Sequence, residues 1–309
     1  MDKKTERLVN VARMYYEQGR TQSEIADRYG ISRPMVSKLL KEARDRGIVT
    51  IRINAPKGES GGAPSLMELV GRCFGIYDGV AVPGGPNDQT TNEAVAEAAI
   101  SYLSELGGAS LGIGWGHIIG DVVKHMEQKA KLVPIGTFVC PLIGNGGVGL
   151  KNYHSNELVR SIAEHSGAQP RFIYSPACVL SEQELKLTRE LDSYHEIYHV
   201  WEKLDVALVN IGNFPSVPDF ASEARYGDML IRQKAVGRIL NYFMDSQGHI
   251  IRSDTDYAIQ IPLELLTRTR HVVGICSANT SPKAFRAALK TGYLKHFIAP
   301  EHVVREALE

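Results

Sequence analysis

The 309-residue sequence predicts an α/β protein in two parts, a small helical head and a larger body of alternating strands and helices. Three observations carry this. The first 54 residues hold three short helical stretches separated by glycines. The run APKGESGGAP, residues 55–64, has the Pro, Gly and Ser content of a linker. Beyond it, apolar strand-like runs alternate with amphipathic stretches, the pattern of repeated βα units in a mainly parallel sheet covered on both faces. The length suits two domains, taken as 1–54 and 65–309 around the linker.

In the head, residues 3–18 read as a helix with Leu8, Val11, Ala12 and Tyr15 on one face, ended by Gly19. Thr21 with Glu24 three residues on makes a capping box for a second helix over 22–29. Gly30 breaks that helix, Ser32 caps a third with Pro34 in its first turn, and Gly47 closes it. The run IVTIRIN, residues 48–54, alternates as a short strand does. In the body, strands are expected at 79–82, 109–114, 137–142, 171–175, 206–211, 271–276 and 295–298, with one further apolar strand, AVGRILNYFMD, ending at Asp245. Helices are expected at 65–74, 90–106, 117–128, 156–166, 182–191, 282–290 and 300–308.

Composition is that of an ordinary globular chain, 43% hydrophobic and 23% charged, which excludes disordered, collagenous and coiled-coil classes. The net charge of zero conceals an asymmetry: residues 1–54 carry 12 basic and 7 acidic residues, leaving the body acidic. A basic head on an acidic body suggests a nucleic-acid contact confined to the head. Cys73, Cys140, Cys178 and Cys276 lie far apart in or beside apolar stretches with no C-x-x-C pair, and read as buried thiols of a reducing cytosol rather than disulfides or zinc ligands. MDKKTERLVN lacks the apolar stretch of a signal peptide, and no apolar run approaches the roughly 20 residues that span a bilayer.

Residues 22–41, QSEIADRYGISRPMVSKLLK, meet the requirements of a helix-turn-helix together. Ala26 is the small residue where two steeply crossing helices touch, and Gly30 supplies the positive φ of the turn. Ile25, Ile31, Val36, Leu39 and Leu40 hold the helices together. The outward face then shows residues suited to base edges and phosphates, so Gln22, Ser32, Arg33, Pro34, Ser37, Lys38, Lys41 and Arg44 are the candidate DNA contacts. Lys41 and Arg44 serve equally well as a solvated charged face.

Ligands of open α/β sheets sit beyond the carboxyl ends of the strands. Four turns there look chemically prepared. Gly112, Gly114 and Gly116 line a strand-to-helix turn whose N–H groups can face an anion, or they serve tight packing alone. Gly144, Asn145, Gly146 and Gly147 form either a nest of N–H donors or a flexible loop. Ser281 caps a helix started by Pro282, and Lys283 in that first turn is electrostatically misplaced for the helix itself, a conflict that a bound phosphate resolves. Asp245 can accept sugar hydroxyls or merely serve its Asp-Ser-Gln-Gly turn. His154 and Asn156 can hydrogen-bond a sugar, or act as a loop residue and an N-cap.

The chain resembles the SorC family of sugar-responsive bacterial regulators along nearly its whole length. ISRPMVSKLLKEARDRGIVTIRI is similar to the family's recognition segment, and FGIYDGVAVPGG to the entry into its effector domain. LGIGWGHII, PLIGNGG with NELVRSIAEHSG, AVGRILNYFMDSQG and SPKAFRAALKTGYLKHFIAPE continue the similarity in order. The resemblance implies a winged-helix-like head, a Rossmann-like, sugar-isomerase-like effector domain, a phosphorylated sugar as effector with no cofactor, and a tetramer on double-stranded DNA; the expectation drawn from it is a homo-oligomer, dimer or tetramer. It also implies a ligand-binding acid at Asp245. One departure is the loop CSANTSPK, where family members commonly have a Gly-rich loop before the Lys, and this points to a different effector. The rival expectation, a phosphosugar isomerase or deaminase fused to the head, needs a positioned base, and only Asp245 and His154 offer themselves.

Overall fold

A computed structural model describes residues 3–45, 48–49, 64–106, 109–129, 132–147, 149–216, 226 and 228–309. The expected strand at 48–54 falls almost wholly outside the described residues, as do Gly47 and the linker up to residue 63. Contacts divide the chain into residues 1–63 and 64–309.

The head is built from α1 (Lys3–Tyr16), α2 (Gln22–Tyr29) and α3 (Arg33–Asp45). Thr21 and Glu24 close the reciprocal capping box, and Gly30 sits at φ 60°, the left-handed conformation that lets the chain turn from α2 into α3. Val11, Met14, Ile25, Ala26, Val36 and Leu40 bury one small core, and Leu8, Ala12 and Ala43 another.

The body opens with α4 (Leu66–Phe74), again behind a capping box, Ser65 with Glu68. There follow β1 (Gly79–Val82), α5 (Asp88–Leu106), β2 (Leu111–Ile113), α6 (His117–Glu127), β3 (Phe138–Pro141), α7 (Ser155–Ser166) and β4 (Gln169–Pro170). The second half runs α8 (Glu182–Glu190), α9 (Asp192–Trp201), β5 (Val206–Asn213), α10 (Met229–Arg232), β6 (Ala235–Ile239), β7 (Tyr242–Asp245), α11 (Leu263–Arg268), β8 (His271–Ile275), α12 (Pro282–Lys290), β9 (His296–Pro300) and α13 (Glu301–Leu308). The main sheet has the order β1-β9-β8-β5-β2-β3-β4 and is parallel throughout. Apolar side chains from both of its faces join one large core. From β2 the chain moves outward to β3 and β4; from β5 it moves the other way, to β8 and β9. The switch point of the doubly wound sheet therefore lies between β2 and β5, where such sheets open a crevice at the carboxyl ends of their strands.

Three expectations are corrected. Residues 235–245 are not one strand but the hairpin β6–β7, reversing through Leu240 and Asn241, with Leu240 at φ 52°. The hairpin adds to β5 in antiparallel register, so the complete sheet is mixed. Residues 171–175 leave the sheet after the two-residue β4; Asn156 instead bonds Ile173 through both ends of its carboxamide, to the carbonyl at 2.9 Å and from the N–H at 3.0 Å. Cys73 is exposed, because α4 turns Val70 and Gly71 inward, whereas Cys140 and Cys276 are buried as expected and Cys178 is half-buried.

Candidate functional sites

In the head, α3 buries Val36, Leu40 and Ala43 and turns Ser32, Arg33, Pro34, Ser37, Lys38, Lys41 and Arg44 outward; Gln22, at the start of α2, is half-buried. Among the described residues no ion pair engages Arg33, Lys38 or Lys41, and no carboxylate stands in the first turn of α3. The face is thus cationic from end to end with a positive helix start, a surface for phosphates.

In the body, a cavity of about 710 Å³ opens at the switch point. Its floor is the turn after β2 at Gly116, the end of β5 at Asn210–Asn213, and the loop after β8 at Ser277, Asn279 and Thr280. One wall is the start of α5, with Gln89, Asn92 and Glu93, facing His117, Asp121 and Lys124 of α6. Tyr153 and Arg238 complete the lining.

Each wall has a local cause. Gly116 sits at φ 101° and leads directly into α6, which starts without a side-chain cap. The first N–H groups of α6 therefore have no intrahelical acceptor and face the cavity as an anion-receptive end. Gly114 is required by the Asn210 side chain, since a Cβ there would stand 2.9 Å from Asn210 Oδ1. That oxygen is buried with no hydrogen-bond partner, and Asn210 as a whole is 5% exposed. Gly212 faces Arg238 in the β5–β6 register, and a Cβ there would meet the guanidinium at 3.1 Å, so glycine lets the cation lie along β5. Arg238 is 3% exposed and donates through Nη1 to the Leu240 carbonyl at 2.7 Å and to Asn241 Oδ1 at 3.2 Å. Asn213 braces the loop after β8, accepting from the Ser281 N–H at 2.7 Å and donating to the Asn279 carbonyl at 3.0 Å. Asn92 accepts from the Ala278 N–H at 2.7 Å and so ties α5 to the same loop. Burial pushes the half-buried Asp121 carboxyl above its usual range, against the pull of Lys124 and His117. Burial also raises the Tyr153 hydroxyl, with Arg238 opposing. Donors, acceptors and both signs of charge converge on one polar space. Among the described residues no cluster of three His, Cys, Asp or Glu could hold a metal ion.

Of the sites expected from sequence, Gly116 lines this cavity and Gly114 abuts the side chain of Asn210, which lines it. The others have different surroundings. A Cβ on Gly112 would strike Leu142 and Leu204, so that glycine serves packing. The N–H groups of Gly144, Asn145 and Gly146 are committed to the carbonyls of Ile259, Ser175 and Tyr153, which leaves no nest. Gly147 is exposed, His154 is half-buried outside the cavity lining, and Asn145 and Asn156 brace residues 173–175. Asp245 accepts from the N–H groups of Gln247 and His249 in its own turn, at 2.8 and 3.0 Å. The hairpin sets it beside Ala235 and puts Arg238 at the cavity instead. Ser281 occupies the N-cap of α12 without a side-chain cap bond, and Lys283 is exposed outside the lining. Sequence reasoning missed Asn210, Arg238, Tyr153, Asp121 and the start of α5. Asn210 and Arg238 had left a signal: each is a polar residue inside an otherwise apolar strand, ALVNIG and AVGRIL.

Residues 63–309 match the family described as "Putative sugar-binding domain". The chain is 29% identical over 300 residues to the Sorbitol operon regulator of Klebsiella pneumoniae, covering 93% of this chain and 92% of the relative. The chain belongs to the SorC family of sugar-responsive transcriptional regulators. A second relative, the Deoxyribonucleoside regulator of Bacillus subtilis, is 26% identical over 317 residues, covering 99% of this chain and 98% of the relative. The crystal structure of full-length SorC from Klebsiella pneumoniae superposes with a TM-score of 0.69 at 24% identity, over 98% of this chain and 99% of that one, and establishes the shared fold. Residues 5–46 match Sigma-70, region 4, which covers the helix-turn-helix. The chain is a DNA-binding transcriptional regulator controlled by a sugar effector.

Proposed function

We propose that the regulator is a cytoplasmic homo-oligomer whose hold on its operator changes when a phosphorylated sugar occupies the cavity between β2 and β5. The observation that carries this is the convergence at the switch point of the uncapped start of α6, the Arg238 guanidinium and the carboxamides of Asn210 and Asn213. The first two favour an anionic group and the last two favour hydroxyls. The phosphate is placed at the start of α6, within the glycine turn 114–116, and the sugar towards Asn213 and Thr280. A ligand there touches α5, α6, the β5–β6 junction and the loop after β8 together, so it can favour one arrangement of these elements over another, which is what control of a separate domain requires. No described helix is long and apolar enough to cross a membrane.

The test is calorimetry of the full chain against a panel of sugar phosphates, their parent sugars and inorganic phosphate. A sugar phosphate is expected to bind at least tenfold more tightly than its parent sugar, to be displaced by inorganic phosphate, and to alter operator retention in a gel-shift assay. Equal binding of phosphorylated and parent sugar overturns the phosphate assignment.

A further inference from the structure

We infer that Met35 is a base-reading residue of the head, and that its thioether side chain contacts the methyl group of a thymine in the major groove beside the contacts of Arg33 and Lys38. Met35 is 45% exposed on a helix whose other large apolar side chains, Val36, Leu39 and Leu40, are packed against α1 and α2. It stands in the first turn of α3, the part of a recognition helix that reaches base edges. Lys38 follows three residues later, on the same flank of the helix. Glu42, one further turn along that flank, would bring a carboxylate towards the phosphates. It is held away by Lys4 of α1, 2.8 Å from its carboxylate. The flank therefore presents an apolar tip followed by a cation, with its acid withdrawn.

Such a tip has one sequence-specific partner on duplex DNA. Among the donors and acceptors of the major-groove edges, the C5 methyl of thymine is the one projecting apolar group, and it distinguishes T from C, which carries only hydrogen at that position. Methionine suits the contact because three rotatable bonds let the sulfur and terminal methyl settle against a small apolar target. The alternative, a contact with deoxyribose, carries no sequence information, so the two are separable by experiment.

The full-length protein is used to select its operator from a random duplex pool. Each thymidine of the selected site is then replaced in turn by deoxyuridine, which keeps the base pair and deletes only the methyl. At one thymine per half-site, the replacement is expected to weaken the parent about fourfold, the effect of burying one methyl group. At that position Met35→Ala should be indifferent to the replacement, while Met35→Leu retains the discrimination. Selection repeated with Met35→Ala should lose the thymine preference in that column alone. Thermal midpoints of both variants should equal the parent's, because the side chain is exposed. The inference is overturned if uracil replacement weakens parent and Met35→Ala equally at every thymine. It is likewise overturned if Met35→Ala weakens all sequences uniformly, as loss of a sugar contact would, or changes nothing.

Discussion

Arg33 and Lys41 carry the same charge on the same helix, yet their truncations should read differently. Arg33 stands at the start of α3, where a guanidinium reaches base edges, so Arg33→Ala should cost about 1–3 kcal/mol on the selected operator and little on random DNA. Lys41, two turns on, is placed for a phosphate; Lys41→Ala should weaken all sequences alike and lower the salt slope by about one. Fluorescence anisotropy at several salt concentrations separates the two. Asn210 offers a test in the body. Its buried Oδ1 has no partner and lies among Gly114 and Leu240, so the side chain is held there at a cost to folding. Asn210→Leu should raise stability by about 1–3 kcal/mol while abolishing the response of operator binding to effector. A lowered midpoint in a thermal melt would show that the oxygen is satisfied in the native protein.

Two elements show how local chemistry and sheet register divide the work. The start of α2 is fixed by residues three apart in sequence: Thr21 Oγ1 accepts from the Glu24 N–H while the Glu24 carboxylate accepts from the Thr21 N–H. Thr21→Ala should destabilise the head by about 1 kcal/mol, seen in circular dichroism as an earlier loss of helix. The starts of β8 and β9 are joined by tertiary structure instead, with His271 Nδ1 and His296 Nε2 3.0 Å apart and Asp78 beside His296. Burial, with His296, Arg270 and Lys295 nearby, lowers His271 from 6.5 to about 4. The unfolded chain takes up this proton below pH 6.5 and the folded one only near pH 4, so between these values unfolding gains protons. Stability should therefore fall as pH drops from 6.5 towards 4, and denaturant melts of His271→Asn should show a shallower fall across that window.

On the scale of the whole molecule, the head and body are separate units in sequence and in contacts, so their functions should separate too. Deleting residues 1–54 should abolish footprinting of the operator while leaving sugar-phosphate binding, measured by calorimetry, unchanged. One head supplies one recognition helix and covers one half-site, so a symmetric operator calls for at least a dimer. Light scattering is expected to report a multiple of the 34.0 kDa chain mass. The helices flanking the body in sequence, α4 and α13, pack against each other, and α13 turns Val303, Val304 and Ala307 inward. Any assembly surface they contribute is limited to their outer faces.

The sequence by itself determined whatever depends on neighbours in the chain. The capping boxes at Thr21 and Ser65, the left-handed turn at Gly30 and the α/β alternation are all local, and the helix-turn-helix follows from spacing within twenty residues. It also pointed to the carboxyl ends of the parallel strands, where the cavity opens, and Gly116 was legible there as a glycine leading into a helix. Only the tertiary structure decided which side chains meet in that crevice. Asn210 and Arg238 come from different strands, and their approach depends on the antiparallel register of β6 on β5, with Gly212 clearing the space. Asp245 lost its expected place for the same reason. AVGRILNYFMD is apolar enough for one strand, and its turn-prone Asn241 lies where β6 reverses into β7 with Leu240 at φ 52°. Periodicity reports which face of an element is buried; it carries no information about which distant element will face it.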